Sequence, residues 1–391
     1  MRLTISKSIS FSAPTFKHNE WKYVKECLDT GWVSSVGPFV DKFEQDICSL
    51  TNAEHAVACV NGTAALHTAL QIVGVQPDDE VIVPTVTFIA PINAVRYIGA
   101  YPIIMDCDDF YNLDILKIKK FIEKETIFRN NRTYNKTTRR CISAVVPVHI
   151  FGNAVDMDEL ITICRERNIK VVEDASESLG TYYNTGKLTG QYTGTVGDIG
   201  CYSFNGNKII TTGGGGMIVT NNHKYAQKAR YLTTQAKDDA SRYIHNEIGY
   251  NYRLTNIQAA IGVAQLEYLS EFIETKRNNY NSYKKAIENI PGLHLADMPS
   301  YAKNNCWMYA LQLNEKEYGQ SKETLIQRLT SDGIEVRPLW YLNHLQKPYK
   351  NCQTYNIDKA YCMYDKTIML PCSVNCSKKQ LDFVTNRLKQ Y

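Results

Sequence analysis

Hydrophobic and polar positions alternate along the first part of the chain in a pattern that predicts a layered α/β fold. Between about residues 55 and 220, short apolar or β-branched runs are separated by amphipathic stretches of helical length. Strands that alternate with such helices favour βαβ units and a mostly parallel sheet. The predicted strands are His55–Val60, Glu80–Pro84, Tyr101–Asp106, Ser143–His149, Lys170–Glu173, Asp198–Ser203 and Met217–Thr220, and the predicted helices are Ala64–Val73, Ala90–Tyr97, Leu113–Glu123 and Met157–Arg167.

The pattern changes near residue 250. Apolar residues recur at helical spacing from Leu254 to Ile273, which predicts one long helix that ends before Pro291. We therefore expect a large domain over residues 1–250, with an N-terminal segment, and a linking helix with a small C-terminal α/β domain over residues 251–391. The further elements predicted for the small domain are a strand at Trp307–Leu313, a helix at Lys322–Thr330, a strand at Ile334–Pro338 and a last helix that begins with a Ser377–Gln380 capping box.

One basic segment interrupts the alternation. Thr126–Arg140 holds five basic residues and no acidic residue. An anion-binding patch and a solvated connector both fit this composition, and the connector is the expected one.

Composition narrows the class of protein. The 391 residues are 44% hydrophobic and 21% charged, with a net charge of +4. This composition is ordinary for a globular protein and does not favour nucleic acid or membrane partners. No apolar run is long enough to span a membrane and the N-terminus lacks the core of a signal peptide, so a cytoplasmic location is expected. The twelve cysteines contain no CxxC pair, which predicts free thiols and no metal site.

The stretch Ser203–Met217 (SFNGNKIITTGGGGM) places Lys208 before four glycines. A P-loop needs its glycines ahead of the lysine and a Ser or Thr after it, and this stretch has neither. No segment matches GxGxxG after a strand either, so a nicotinamide-binding fold has little support.

A phosphate site is predicted after the first strand instead. Asn61-Gly-Thr-Ala-Ala-Leu66 enters a helix directly, where Gly62 allows close approach of an anion and Thr63 offers a hydroxyl. Simple N-capping by Asn61 or Thr63 explains the same residues.

The phosphate motif, Asp174 and Lys208 are more informative as an ordered set than each of them is alone. Asp174 ends a predicted strand, and Lys208 follows another strand 34 residues later. A phosphate cradle, a carboxylate for a ring nitrogen and a lysine for an aldehyde are the groups that hold pyridoxal 5′-phosphate.

With these motifs, the chain resembles the DegT-type nucleotide-sugar aminotransferases, which use pyridoxal phosphate and have the aspartate-aminotransferase fold (fold type I). The quoted motifs that carry this resemblance are Thr30–Gly37, Asn61–Leu66, Glu173–Ala175, Ser203–Lys208 and Gly249–Leu254. The resemblance implies that Lys208 binds the cofactor covalently and that Asp174 pairs with its ring nitrogen. It implies cofactor contacts from Thr63, the Ala64 backbone, Ser203 and a stacked Phe88, and from Asn251 of the second subunit of a homodimer.

Two positions depart from the family pattern. Glu177 stands where the family often has Gln or His, which leaves its hydrogen bond to the cofactor hydroxyl an open expectation. Gly214 stands where the family usually has Glu, and it either leaves room for substrate or relaxes the turn.

The segment Arg337–Lys347 is similar to the 4-aminotransferases of legionaminic-acid and bacillosamine synthesis. The resemblance implies transfer of the amino group of L-glutamate, which leaves 2-oxoglutarate, to the C4 ketone of a UDP- or GDP-linked 4-keto-6-deoxy sugar. Amination at C3 or of a cyclitol ketone, and a non-enzymatic regulator, are the alternatives. The expected substrate contacts are Trp32, Ser34, Arg253, Trp340 and His344, while core packing explains the two tryptophans and the histidine equally well.

Overall fold

The computed structural model of the chain describes residues 8–239 and 241–389. The strands are β1 (His55–Cys59), β2 (Glu80–Pro84), β3 (Tyr101–Met105), β4 (Thr126–Arg129), β5 (Arg132–Asn135), β6 (Cys141–Val145), β7 (Lys170–Asp174), β8 (Tyr182–Tyr183), β9 (Ile199–Ser203), β10 (Gly216–Thr220), β11 (Leu293–Leu295), β12 (Ala302–Lys303), β13 (Tyr309–Leu313), β14 (Arg337–Pro338), β15 (Thr354–Tyr355) and β16 (Thr367–Leu370). The α-helices are α1 (Glu20–Thr30), α2 (Pro38–Thr51), α3 (Gly62–Ile72), α4 (Ala90–Tyr97), α5 (Ile115–Glu125), α6 (Met157–Glu166), α7 (His223–Thr233), α8 (Asn256–Leu266), α9 (Leu269–Ile287), α10 (Glu315–Tyr318), α11 (Lys322–Ser331), α12 (Lys359–Lys366) and α13 (Lys378–Lys389).

A large, mostly parallel sheet forms the centre of the fold. Its strand order is β1-β10-β9-β7-β6-β2-β3-β15, and along this path only β10 runs antiparallel to its neighbours. Both faces are covered, because one hydrophobic cluster includes residues of α3, α4 and α7 and another includes residues of α5 and α6. Fully buried strands such as β2 need apolar side chains on both faces, which explains the short continuous apolar runs of the sequence. The predicted α/β class with a mostly parallel sheet is confirmed.

A second, antiparallel sheet follows in the order β11-β13-β16-β14. The predicted capping box of α13 is present, since Ser377 N donates to Gln380 Oε1 over 2.9 Å and Gln380 N donates to Ser377 Oγ over 3.3 Å. The division of the chain at residue 250 stays a prediction. Two segments cross it: Ile9 pairs with Ile334, and β15 pairs with β3 of the large sheet.

The prediction of one long helix was wrong. The chain forms two helices, α8 and α9, because Tyr268 between them has a non-helical backbone with φ −116° and ψ 7°. The break is stabilised from outside: Glu267 accepts hydrogen bonds of 2.6 Å from both Asn19 Nδ2 and Tyr23 OH, and the Tyr268 ring stacks on His18. Apolar periodicity continues through the break, so the sequence pattern did not reveal it.

The predicted solvated connector at 126–140 is mostly exposed, but it contains regular structure that the sequence analysis did not predict. The segment folds as the β4–β5 hairpin, and β5 pairs with the start of β6. Asn130 and Asn131 form its tight turn with φ of 49° and 58°, the left-handed values that a two-residue hairpin turn requires and that asparagine tolerates.

Candidate active site

The carboxyl ends of β1, β2, β7 and β9 meet at one edge of the large sheet, because these strands are parallel. A cavity of about 620 Å³ opens there, between this edge and residues 337–341 near the small sheet. Ligands of open α/β sheets bind at this edge. The predicted site residues that line the cavity are Gly62, Thr63, Phe88, Asp174, Glu177, Ser203, Lys208 and Trp340.

The N-terminus of α3 faces the cavity, and its cap decides which backbone groups remain free. Asn61 Oδ1 accepts a hydrogen bond from Ala64 N over 2.8 Å, so the predicted N-cap is present. Ala64 does not line the cavity, and its N–H is already used by this cap. The first N–H groups of a helix have no acceptor within the helix, so Gly62 and Thr63 are the ones that can bind an anion here.

Asp174 is the last residue of β7 and is 4% exposed. Burial raises the pKa of its carboxyl, while hydrogen bonding from Ser176 and the positive charge of Lys208 oppose the shift. Ser176 N donates to Asp174 Oδ1 over 3.0 Å and fixes the carboxyl at the strand end. A cation placed against this carboxyl, such as a protonated ring nitrogen, would offset the cost of its burial.

The preceding acid, Glu173, turns to the opposite face of β7. It is fully buried and accepts hydrogen bonds from the backbone of Gly194, Val196 and Gly197 and from His149 Nε2. Of the acidic pair, Asp174 therefore lines the cavity and Glu173 holds the loop before β9.

Lys208 follows β9 and lines the same cavity as Asp174 and Glu177. Burial lowers the pKa of its amine, and the carboxylates of Glu177 and Asp174 oppose this shift. Its Nζ lies 4.2 Å from the centroid of the Trp307 ring. A lowered pKa makes the amine easier to deprotonate, and the unprotonated amine is the form required of a nucleophile or a general base.

Glu177 holds the backbone of a strained residue. Its Oε2 accepts a hydrogen bond of 2.8 Å from Phe151 N, and Phe151 has a left-handed φ of 58°. Burial raises the pKa of Glu177 to about 7, and the charge of Lys208 opposes this shift. The hydrogen bond to a cofactor hydroxyl stays a prediction.

The raised pKa of Glu177 predicts that the free energy of unfolding depends on pH. A carboxyl whose pKa is higher in the folded chain binds its proton more tightly there, so stability falls as pH rises from about 4.5 to about 7. Glu177→Gln keeps an oxygen for Phe151 N and removes the charge. We expect the cofactor-free variant to exceed the wild type in stability above pH 7 by on the order of 3 kcal/mol, and to match it below about pH 4.5. Urea unfolding of both proteins across this pH range measures the difference; a difference that does not change with pH would contradict the prediction.

Several cavity residues were missed by the sequence analysis. Ser176 lies two residues after Asp174, where a strand-end loop could have suggested it, whereas the positive φ that places Phe151 leaves no mark in the sequence. Asn207 Oδ1 is buried without a hydrogen-bond partner within the described residues. The other missed lining residues include Phe11, Thr87, Phe151, Asn205, Met308, Arg337 and Tyr341.

The cavity fits pyridoxal phosphate by the chemistry of its groups. It has a helix N-terminus with a glycine for a phosphate, a buried carboxyl for a ring nitrogen, and a lysine of lowered pKa for an aldehyde. Phe88 is 57% exposed at its wall, which leaves its ring face available for stacking. The unpartnered Asn207 Oδ1 also calls for a hydrogen-bond donor that the described residues do not supply.

The remaining predicted residues lie outside this cavity. Trp32, Ser34 and Asn251 are exposed, and the backbone carbonyls of Trp32 and Ser34 accept hydrogen bonds from Asn256. Arg253 is half-buried, with Nε unpartnered within the described residues. His344 is buried, and both its ring nitrogens are bonded, to Thr85 Oγ1 at 2.7 Å and Tyr361 OH at 2.8 Å. This geometry favours the structural interpretation of His344, and burial lowers its pKa.

The two glycines at positions 62 and 214 differ in what surrounds them. A Cβ at Gly62 would lie 2.9 Å from Ser203 Cβ and 3.3 Å from Ser176 Oγ, whereas a Cβ at Gly214 would meet only Gln258 Nε2 at 3.9 Å. Gly214 therefore leaves open space where a side chain is tolerated.

This difference predicts opposite outcomes for two matched variants. Gly62→Ala forces the added methyl group against Ser203, and overpacking of this kind costs about 1–3 kcal/mol. We expect it to weaken cofactor binding by about 10- to 100-fold, while Gly214→Ala changes binding by less than about twofold, as open space predicts. Titration of the two apoproteins with pyridoxal phosphate, followed by absorbance, compares them; equal affinities would contradict the assignment of Gly62 to the cradle.

Fold and site together define a pyridoxal-phosphate-dependent aminotransferase. The profile of the DegT/DnrJ/EryC1/StrS aminotransferase family matches residues 14–389, and the chain belongs to this family. The chain is 38% identical over 386 residues to a GDP-perosamine synthase of Caulobacter vibrioides, with 98% of each chain covered. It is 36% identical to the putative pyridoxal phosphate-dependent aminotransferase EpsN of Bacillus subtilis, with 96% of this chain and 93% of EpsN covered.

Solved structures show the same fold. The crystal structure of DesI with its TDP-sugar product superposes with a TM-score of 0.86 at 25% identity, covering 98% of this chain and 92% of DesI. Among the described residues, no helix has the length and apolar character needed to cross a membrane.

Proposed function

We propose that the chain transfers the amino group of L-glutamate to the C4 ketone of a nucleotide-linked 4-keto-6-deoxy sugar. The observation that carries the proposal is the arrangement of Lys208 beside Asp174 and Glu177 in one cavity. The relative named GDP-perosamine synthase supports a GDP-linked sugar over a UDP-linked one. The similarity of residues 337–347 to enzymes of legionaminic-acid and bacillosamine synthesis supports a product for bacterial surface glycans.

Several polar groups of the cavity would take part in this reaction. The N–H groups of Gly62 and Thr63 and the Ser203 hydroxyl would hold the cofactor phosphate, and Asp174 would keep its ring nitrogen protonated. When bound, pyridoxal phosphate supplies an electron sink for the carbanion formed by loss of a proton. Lys208 would bind the aldehyde, and its released amine would take the proton from the α-carbon of glutamate and later deliver one to C4 of the sugar. Because Lys208 reaches the cavity from one side, the new amine would have one configuration.

The rim of the cavity suits the sugar nucleotide. Arg337 is exposed there and can bind a diphosphate or a carboxylate, and Tyr341 is 48% exposed beside it. Trp340 also lines the cavity while its ring lies 5.2 Å from that of Phe151, so packing and substrate contact are compatible.

A panel of 4-keto-6-deoxy and 3-keto nucleotide sugars, each offered with glutamate, tests the proposal. We expect turnover of the 4-keto sugars with stoichiometric 2-oxoglutarate, and faster turnover of the GDP-linked sugar than of its UDP-linked counterpart. Turnover of 3-keto sugars alone, or of a cyclitol ketone alone, would replace this function with an alternative chemistry. Absence of turnover in a protein that binds the cofactor would favour a regulator.

We also propose a homodimer with shared sites. Asn251 is exposed and lies outside its own cavity, as expected if it reaches the phosphate of a neighbouring subunit. Large apolar side chains are exposed nearby in sequence and on the Gly31–Gly37 segment, which an interface would cover. These include Trp32, Val33, Val36 and Ile248, at 52%, 41%, 60% and 82% exposure.

Mixed dimers test this arrangement without reference to a dimer structure. Lys208→Ala and Asn251→Ala each damage a different part of a shared site, so each homodimer has two impaired sites. A mixture of the two variants, unfolded and refolded together, should regain about a quarter of wild-type activity, because half of the dimers are mixed and each has one intact site. Activity is assayed before and after exchange; no gain, despite proven exchange of differently tagged subunits, would contradict the shared site.

A further inference from the structure

The Lys208 amine rests on an aromatic face. Its Nζ lies 4.2 Å from the centroid of the Trp307 ring, and it makes no hydrogen bond or ion pair within residues 8–239 and 241–389. The charged groups that face it are the carboxylates of Asp174 and Glu177, which are too distant for an ion pair. A protonated amine within about 6 Å of an indole face is attracted by the ring, whereas a neutral amine is not.

Trp307 is held in place independently of Lys208. It is 1% exposed, its indole Nε1–H donates to Asn207 O over 2.8 Å, and its backbone N–H donates to Asn305 Oδ1 over 3.0 Å. The Nε1 bond joins the indole to the residue that precedes the lysine. The ring is therefore fixed against the backbone that carries Lys208.

A buried lysine supplies the third anchor. Lys276 Nζ donates to Trp307 O over 3.0 Å and also to Cys372 O, and it has no carboxylate among its contacts in the described part of the chain. Burial lowers the pKa of Lys276. A buried amine without an acid is costly, and here its two bonds satisfy carbonyls at the start of β13 and the end of β16. Lys276 thus fixes the backbone of Trp307 through its carbonyl group.

We propose that Trp307 is a positioning residue that holds the Lys208 amine whenever that amine is not bonded to the cofactor. This inference rests on the proposed catalytic role of Lys208. During the reaction the Lys208 amine is released from the cofactor. It must then stay close to the substrate until it binds the cofactor again. The indole face provides a place that stabilises the charged amine without a hydrogen bond that would have to be broken. Asp174 and Glu177 remain available for other partners.

The test is the protonation of Lys208 in the cofactor-free protein. Competitive labelling of lysines at different pH values, with the Lys208 peptide quantified by mass spectrometry, gives its apparent pKa. We expect Trp307→Leu to lower that pKa by about one unit and Trp307→Phe, which keeps an aromatic face, by less than half as much. Phe121→Leu, a change of similar kind at a fully buried ring on α5, is the matched control and should leave it unchanged.

Fluorinated tryptophan keeps the test decisive if Trp307→Leu fails to fold. Replacement of the four tryptophans by analogues with increasing fluorination weakens the attraction of each ring for a cation at almost constant shape. The pKa of Lys208 should fall as the number of fluorine atoms rises. It should fall by the same amount in the Trp340→Phe variant, in which Trp340 cannot contribute to the effect. A pKa that is indifferent to both Trp307→Leu and fluorination would overturn the inference.

Failure of this inference is distinguishable from failure of the proposed function. Borohydride reduction of the wild-type protein with pyridoxal phosphate shows separately whether Lys208 binds the cofactor. If borohydride fixes the cofactor to Lys208 but the pKa of Lys208 does not respond to the changes at Trp307, only the role of Trp307 is rejected. If borohydride fixes no cofactor to Lys208, the proposed function is rejected, and this inference loses its basis.

Discussion

Lys208→Ala is expected to lower kcat by at least about 10³-fold, because proton transfer by a positioned side chain contributes about 10²–10⁴-fold and the covalent anchor is lost as well. The amine is the group of the cavity whose pKa burial lowers, and no other lysine lines the cavity within the described residues. Steady-state turnover of a 4-keto nucleotide sugar with glutamate measures the loss.

The matched control is a lysine that neither lines the cavity nor supports it. Lys187 carries an exposed amine paired with Asp158, and Lys187→Ala should keep wild-type turnover. Lys208→Arg keeps a positive charge but cannot lose it near neutral pH, and it should be as inactive as Lys208→Ala. More than a tenth of wild-type activity in either Lys208 variant would show that another group carries the chemistry.

Asp174→Asn is expected to lower kcat by about 10²–10³-fold, the loss typical of removing one electrostatic stabiliser from an active site. The asparagine keeps the size of the side chain and an oxygen for Ser176 N, so the change is mainly one of charge. Without the carboxylate, the ring nitrogen of the cofactor loses the partner that keeps it protonated. Binding of the cofactor should weaken far less than turnover, because the phosphate contacts remain.

The absorbance of the bound cofactor and the rate of its reaction with glutamate, followed in a stopped-flow instrument, separate binding from chemistry. Asp198→Asn is the control, since Asp198 pairs with Lys170 at the other end of β7 and should leave the rate unchanged. Equal losses in the two variants would mean that Asp174 acts through stability and not through its charge at the ring.

The sequence predicted that the groups of the site lie together because each of them follows a strand of the same predicted parallel sheet. Asn61, Asp174 and Ser203 lie at or just after the ends of parallel strands, which share one edge, so the order of motifs was enough to bring them together. Most of the predicted strands agree with the observed ones, but the predicted Ser143–His149 overlaps β6 only at residues 143–145, and the predicted Ile334–Pro338 overlaps β14 only at its last two residues. Continuous apolar runs bounded by polar turns mark strands that are buried on both faces.

The parts that the sequence did not predict depend on contacts between distant residues. The break between α8 and α9 is stabilised by His18, Asn19 and Tyr23. The orientation of Phe151 depends on a hydrogen bond to Glu177, and that of Trp307 on Lys276. Local periodicity carries no information about such contacts, and tertiary interactions override it.

Residues of the outer surface were the hardest to assign. Trp32, Ser34 and Asn251 belong to family motifs, yet they lie outside the cavity of their own chain. Their roles stay predictions, and the mixed dimers test that of Asn251.

The most direct test of the account is the site at which the cofactor is bound. The wild-type protein is loaded with pyridoxal phosphate, reduced with borohydride and digested, and the modified peptide is sequenced by mass spectrometry. We expect a yellow protein whose cofactor is fixed to Lys208 and to no other lysine. A colourless protein that takes up no cofactor, or a cofactor fixed to a different lysine, would contradict it.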